Sequence, residues 1–306
     1  MHSVQHAGAA GFDPAARHEI RVDDVEYVRR GDTPLLARVY RPVGRGPWPA
    51  LVDVHGGAWC HFDRTVDAAF DRPLAASGMV VVALDFRQGG AHQFPASVRD
   101  VLSGVRFVRR ERAALDVADA PLGIIGGSSG GHLALLAAIC ADEPDFREPG
   151  DVHTDAPATI DYALPLWPIA DPVARYRYLE PLLAGFERRD DDPMFDPARL
   201  RASQEAHFGD ESAMARASVP CILRERRFAS LPPIWVAHPE RDRNVTVAMS
   251  EDLVAAYRGA GGEAELEIFP GVGHSFANYP GEASERCVER MRAFVARCLV
   301  RPRATS

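Results

Sequence analysis

Six short, predominantly apolar runs separated by helix-length stretches constrain this 306-residue chain more than any other feature. They fall at residues 50–54, 79–84, 122–125, 162–166, 234–237 and 264–269. A strand with one face in water alternates apolar and polar residues, whereas strands of a parallel sheet covered by helices are apolar throughout. The intervening stretches have helical spacing. Residues 97–115 line up Val98, Val101, Leu102, Val105 and Val108, and residues 246–258 line up Val247, Leu253, Val254 and Tyr257 before Gly259. This repetition predicts an α/β fold with a mostly parallel central sheet flanked by helices. Ahead of it, residues 19–29 and 35–42 alternate in polarity around a turn at 31–34, which predicts a hairpin solvated on one face.

One domain spanning residues 1–306 is expected, with residues 1–17 as a flexible extension. More than sixty residues separate the runs ending at 166 and starting at 234, with an acidic stretch at 190–192 and several aromatics. A loop of that length without structure is uncommon, so a helical cap over the sheet's edge is expected at residues 172–230. The longest apolar run, residues 133–141, is about half of the roughly 20 residues needed to cross a bilayer, so no membrane partner is expected. The N-terminus has no cationic start followed by an apolar stretch, which points to the cytoplasm.

Charge removes further classes. The 35 basic residues stand against 43 acidic ones, and no segment joins basic residues to aromatics, so nucleic acid is not an expected partner. Every basic residue among the 35 is Arg. Without lysine there is no P-loop lysine, no Ser-Lys dyad and no Schiff base with pyridoxal phosphate. The five cysteines, Cys60, Cys140, Cys221, Cys287 and Cys298, form no close pair and read as free thiols with no metal cluster. His2 and His6 are read as part of a mobile terminus rather than as metal ligands.

The chemistry is concentrated just beyond the apolar runs. Gly126-Gly127-Ser128-Ser129-Gly130-Gly131 follows the run 122–125 and opens an apolar helix. A serine at a sharp strand-to-helix turn needs glycines two before and two after it, where the backbone doubles back. Spacing alone leaves both Ser128 and Ser129 open. The run 50–54 leads into His55-Gly56-Gly57-Ala58-Trp59, whose glycines let backbone N–H groups point outward as an oxyanion hole requires. Asp242 follows the run 234–237, with Glu240 as its rival, and His274 follows the run 264–269. The order serine, acid, histidine thus falls at the carboxyl ends of parallel strands, where open α/β sheets place their sites. The only near match to a dinucleotide motif, Gly259-x-Gly261-x-x-Ala264, ends a helix instead of opening one.

Together these segments resemble the α/β-hydrolases of the hormone-sensitive-lipase-like carboxylesterase group, with likeness to arylformamidases, from about residue 25 onward. The likeness extends to Asp85-Phe86-Arg87, Phe94-Pro95-Ala96 with Asp100, and Phe208-Gly209-Asp210. That family's G-x-S-A-G-G elbow aligns on Gly126, Ser128, Gly130 and Gly131, with Ser129 in place of the alanine, and implies Ser128 as the nucleophile. The resemblance implies a serine hydrolase of small uncharged esters with Ser128, Asp242 and His274 as triad, Gly56, Gly57 and Ser129 as oxyanion donors, and no cofactor. An arylformamidase or amidase with the same triad is the alternative, and a non-catalytic ligand receptor on this fold is a third reading. Trp59, Trp167 and Phe276 are expected at the substrate pocket, while His55, His132 and Cys60 read as structural. A small-molecule ester is the expected partner, and the edge strands and the last helix, residues 285–299, offer surfaces for a homodimer.

Overall fold

In a computed structural model, which describes residues 11–187 and 195–301, each apolar run becomes a strand whose alternate residues enter two different cores. In chain order the elements are β1 (Ile20–Arg30), β2 (Thr33–Pro42), β3 (Trp48–Val54), α1 (Ala68–Ala76), β4 (Val80–Leu84), α2 (Ala96–Arg110), α3 (Arg112–Leu115), β5 (Val117–Gly127) and α4 (Ser129–Ile139). They continue with β6 (Tyr162–Leu166), α5 (Pro172–Leu179), α6 (Pro197–Phe208), α7 (Glu211–Arg216), α8 (Val219–Glu225), β7 (Ile234–Pro239), α9 (Val247–Gly259), β8 (Ala264–Phe269) and α10 (Glu282–Leu299). The strands form one eight-stranded sheet in the order β1-β2-β4-β3-β5-β6-β7-β8, in which β2 pairs antiparallel with both β1 and β4 and every other pairing is parallel.

Period-two geometry decides which core each side chain enters. Val52, Val54, Val82, Ile124 and Val236 pack with α2, α4 and α9 on one face. Leu51, Val81, Ile125, Leu164 and Trp235 pack with α1 and α10 on the other. Helix α4 is apolar all round because its own neighbours bury it: the sheet on one side, α2 and α8 on the others. One buried carboxylate in α2 ties this layer to the hairpin. Buried Asp100 accepts from Arg30 Nε at 2.8 Å and from Arg87 Nε at 2.7 Å, locking α2 to the strand-β4 exit and the hairpin.

The expected hairpin and helices appear, but three details differ. Helix α1 carries Pro73 internally and no side-chain N-cap bond, so neither end signal marked it in the sequence. Residues 11–17, expected within the flexible extension, lie against the end of α1: the Asp13 N–H donates to the Ser77 carbonyl at 2.9 Å, and the residue after them, His18, donates to the Ala76 carbonyl at 2.7 Å. The insertion is helical, as α5 to α8, and parts of it close over the carboxyl ends of the strands rather than along the sheet's edge alone. Leu179, Phe195 and Leu200 pack there on Ala58. Asp171, Asp196, Asp210 and Ser218 each cap the helix that follows by accepting its N–H groups, which gives four short helices defined starts. Residues 190–192, His2 and His6 lie outside the described residues.

Candidate active site

The elbow forms because two glycines leave room for crossing backbones. A Cβ on Gly130 would collide with the Val54 carbonyl, and one on Gly126 would meet the backbone of Gly130. Between them Ser128 takes φ 55° and ψ −119°, a left-handed strained conformation that costs on the order of 1–3 kcal/mol and lifts its side chain out of the turn. Ser128 Oγ lies 3.0 Å from His274 Nε2. Ser129 Oγ faces the other way and accepts the Trp59 N–H at 3.1 Å. The two registers that spacing leaves open are separated by this geometry.

His274 Nδ1 lies 2.7 Å from Asp242 Oδ2. The Asp242 side chain is fully shielded from solvent, and its Oδ1 accepts the N–H groups of Asn244 at 2.8 Å and Val245 at 2.9 Å. Those bonds compensate the buried carboxylate and orient it. Behind the loop, His238 spans Ser250 Oγ at 2.8 Å and the Val245 carbonyl at 3.1 Å, and burial pushes its imidazole below the ordinary range. Glu240, the rival acid, instead accepts the Gly271 N–H at 2.8 Å on the surface.

Gly57 turns with φ 108°, where a side chain would strike the His61 carbonyl, and Gly56 packs against Gly127 and Ser128. The Ser128 N–H is already donated to the Leu166 carbonyl at 2.9 Å, so the first helical N–H of α4, that of Ser129, is the one facing a developing charge. Among the described residues no acceptor is paired with the N–H groups of Gly57 or Ser129.

A cleft of about 130 Å³, open to solvent at its mouth, joins these groups. Phe62, Trp167, Phe195, Leu200 and Tyr279 give it apolar walls, and Asp67, Arg199, Asn244 and Asn278 add polar points. Trp167 lines this cleft. Trp59 does not: its φ of 60° turns the ring into the interior, stacked on His207 at 5.4 Å. Phe276 likewise packs between Trp167 and Phe269 rather than in the cleft. His55 stacks on Phe86, and His132 accepts the Trp59 indole N–H at 3.2 Å, with burial lowering its pKa to about 4. Cys60 donates to the Ser203 carbonyl, and its partial burial raises its thiol pKa.

Asn244, Asp67 and Asn278 were missed in the sequence. Asn244 had a usable signal, since it sits two residues beyond the acid, but Asp67 and Asn278 meet only through the fold: Asn278 Nδ2 donates to Asp67 Oδ1 at 2.6 Å. Among the described residues no group of three or more His, Cys, Asp and Glu side chains is placed to hold a metal ion, and no helix is long and apolar enough to cross a membrane.

Residues 38–178 match the BD-FAE family model, and residues 225–299 match the dienelactone hydrolase family. The chain is 28% identical over 240 residues to esterase LipC of Mycobacterium tuberculosis, covering 75% of this chain and 53% of that one. It is 30% identical over 252 residues to carboxylic ester hydrolase LipN of the same organism, covering 79% and 61%. It spans about half the length of relatives such as LipC, LipQ and LipM. Among solved structures, a Pyrobaculum calidifontis esterase aligns with a TM-score of 0.72 at 25% identity, over 93% of this chain and 87% of that one. Thermogutta terrifontis esterase 2 with propionate bound aligns with a TM-score of 0.68 at 26% identity, over 93% and 96%.

Proposed function

The chain is an α/β-hydrolase of the carboxylesterase group, and on that premise we propose that it hydrolyses small carboxylic esters through an acyl-enzyme formed on Ser128. One observation carries this reading: a single imidazole, His274, bridges the Ser128 hydroxyl at 3.0 Å and the buried Asp242 carboxylate at 2.7 Å.

In the proposed reaction His274 Nε2 takes the Ser128 proton as Oγ bonds to the acyl carbon, while Asp242 stabilises the imidazolium. The N–H groups of Gly57 and Ser129 receive the oxyanion, each contributing about 3 kcal/mol of transition-state stabilisation. Collapse breaks the bond to the alcohol, which leaves with the proton from His274. A water then gives its proton to His274, attacks the acyl carbon and releases the acid as Ser128 recovers its proton. Residues of this chain supply every group the sequence of steps uses.

The apolar walls of the cleft favour uncharged acyl groups. The complete triad geometry speaks against a ligand receptor, which has no use for a polarised hydroxyl. The five free cysteines support a reducing compartment, and with it the cytoplasm as our proposed location. A fluorophosphonate label mapped by peptide mass spectrometry, run beside a panel of p-nitrophenyl esters of rising chain length and N-formylkynurenine, tests nucleophile and substrate together. Labelling at Ser128 with turnover of short esters is expected; turnover of the formamide alone moves the assignment to the arylformamidase alternative, and an unlabelled, inactive protein refutes the hydrolase reading.

A further inference from the structure

The hydrogen-bond chain that ends at His274 begins in the cap. Arg175 on α5 is fully buried, and a guanidinium can only donate. Its Nε and Nη2 both reach Asn244 Oδ1, at 3.0 and 2.5 Å, and its Nη1 reaches Gln204 Oε1 on α6 at 2.8 Å. Gln204 donates in turn to the Pro172 carbonyl at 2.5 Å, joining α6 to the start of α5. The hydrogen-bond partners of this buried cation are thus neutral amides, with the Trp59 ring 6.0 Å away. Burial pulls its pKa down to about 9 against the opposing pull of Asp242. A cation in such a place is costly, and its cost calls for a use.

With two guanidinium N–H groups on Oδ1, the Asn244 amide has one orientation left. Its Nδ2 then faces His274 Nε2 at 3.1 Å. An amide nitrogen donates, so the contact requires a lone pair on Nε2, which is the neutral imidazole with its proton on Nδ1 toward Asp242. We propose that Arg175 is a positioning residue for the base: it fixes the Asn244 amide so that Nδ2 holds His274 in the tautomer and placement that present Nε2 to Ser128. This rests on the serine-hydrolase reading and extends the site from the cleft into the cap. The same contact opposes a proton on Nε2, which weakens the imidazole as the base toward Ser128 and eases release of that proton to the leaving group. Other charges around the imidazole come from Asp242 and His238 on and after β7, Arg199 on α6, and Asp67 across the cleft before α1.

The test follows the His274 imidazole by NMR titration in wild type, N244A, R175K and the double variant, with kcat/KM for p-nitrophenyl acetate measured against pH on the same samples. Arg175→Lys keeps the positive charge and loses the two-pronged grip, which separates orientation from plain repulsion. N244A should raise the midpoint by about one pH unit, a tenfold gain in proton affinity, and shift the acid limb of kcat/KM with it. R175K should move the midpoint part of that way, lower kcat roughly tenfold with KM nearly unchanged, and add nothing in the N244A background. A folded R175K that titrates as wild type, or shifts equally in both backgrounds, overturns the proposal. Should R175K lose its near-ultraviolet circular dichroism, Gln204→Ala loosens the same guanidinium from its other side and is read by the same two outcomes. The titration needs no turnover, so an inactive, unlabelled wild type would count against the hydrolase reading alone.

Discussion

Asp242 divides its carboxylate between two tasks, giving Oδ2 to His274 Nδ1 at 2.7 Å and Oδ1 to the backbone of its own loop. The loop bonds fix the oxygen that fixes the imidazole, so the acid acts through orientation as well as charge. Asp242→Asn keeps the shape, but the two loop N–H groups hold its amide oxygen, so an Nδ2–H group faces Nδ1 and favours the tautomer with its proton on Nε2. We expect kcat to fall on the order of 10³–10⁴-fold with the fold retained, as steady-state kinetics and circular dichroism will show.

Ser128 and Ser129 are adjacent, yet their hydroxyls serve different partners. Ser128→Ala should abolish fluorophosphonate labelling and lower turnover by about 10⁶-fold. Ser129→Ala should keep labelling and cost about 1–2 kcal/mol of stability, because the buried Trp59 N–H loses its acceptor. A urea unfolding curve for Ser129→Ala beside the labelling assay checks both.

Gly57 occupies a backbone region that side chains rarely adopt, with the His61 carbonyl where a Cβ would sit. Gly57→Ala must therefore move the loop that carries the expected oxyanion donor. The loss should fall mainly on kcat, on the order of 10²-fold, with a smaller change in KM. Equal losses in Ser128→Ala/Gly57→Ala and Ser128→Ala would further show that the two act on one transition state.

Asp67 offers a pH-dependent handle on stability. Burial raises its pKa to about 7, opposed by the bond from Asn278, and Asp53 and Asp71 nearby are pushed upward by burial as well. The carboxyl oxygens of Asp53 and Asp71 have no hydrogen-bond partner among the described residues. A raised acid favours the protonated folded state, so the cost of the group is absent below its unfolded pKa near 4 and grows as pH rises toward 7. Asp67→Asn removes the titration. Relative to wild type it should gain about 2 kcal/mol more at pH 8 than at pH 5, read as the difference in denaturant midpoints at the two values.

The meeting of Ser128, Asp242 and His274 was legible because each follows an apolar run by a few residues, and a parallel strand delivers whatever follows it to one edge. Backbone periodicity and the glycine pattern around Ser128 are local properties, so they survive in one dimension. The pocket was less legible. Trp59 adjoins the glycine motif in sequence, but a left-handed backbone turns its ring toward His207 and away from the cleft. Proximity along a chain does not carry direction, and the same gap explains Phe276.

Alone, the sequence determined the alternating architecture, the elbow, and the order in which hydroxyl, acid and base arrive at the sheet's carboxyl edge, because these follow from side-chain period and steric room for glycine. Tertiary structure decided which serine faces His274, which aromatics line the cleft, and that Arg175 in the cap reaches Asn244 beside the imidazole. Those outcomes depend on how segments separated by 69 residues, as Arg175 and Asn244 are, pack in three dimensions, and hydrogen bonds of that range leave no periodic trace in the chain.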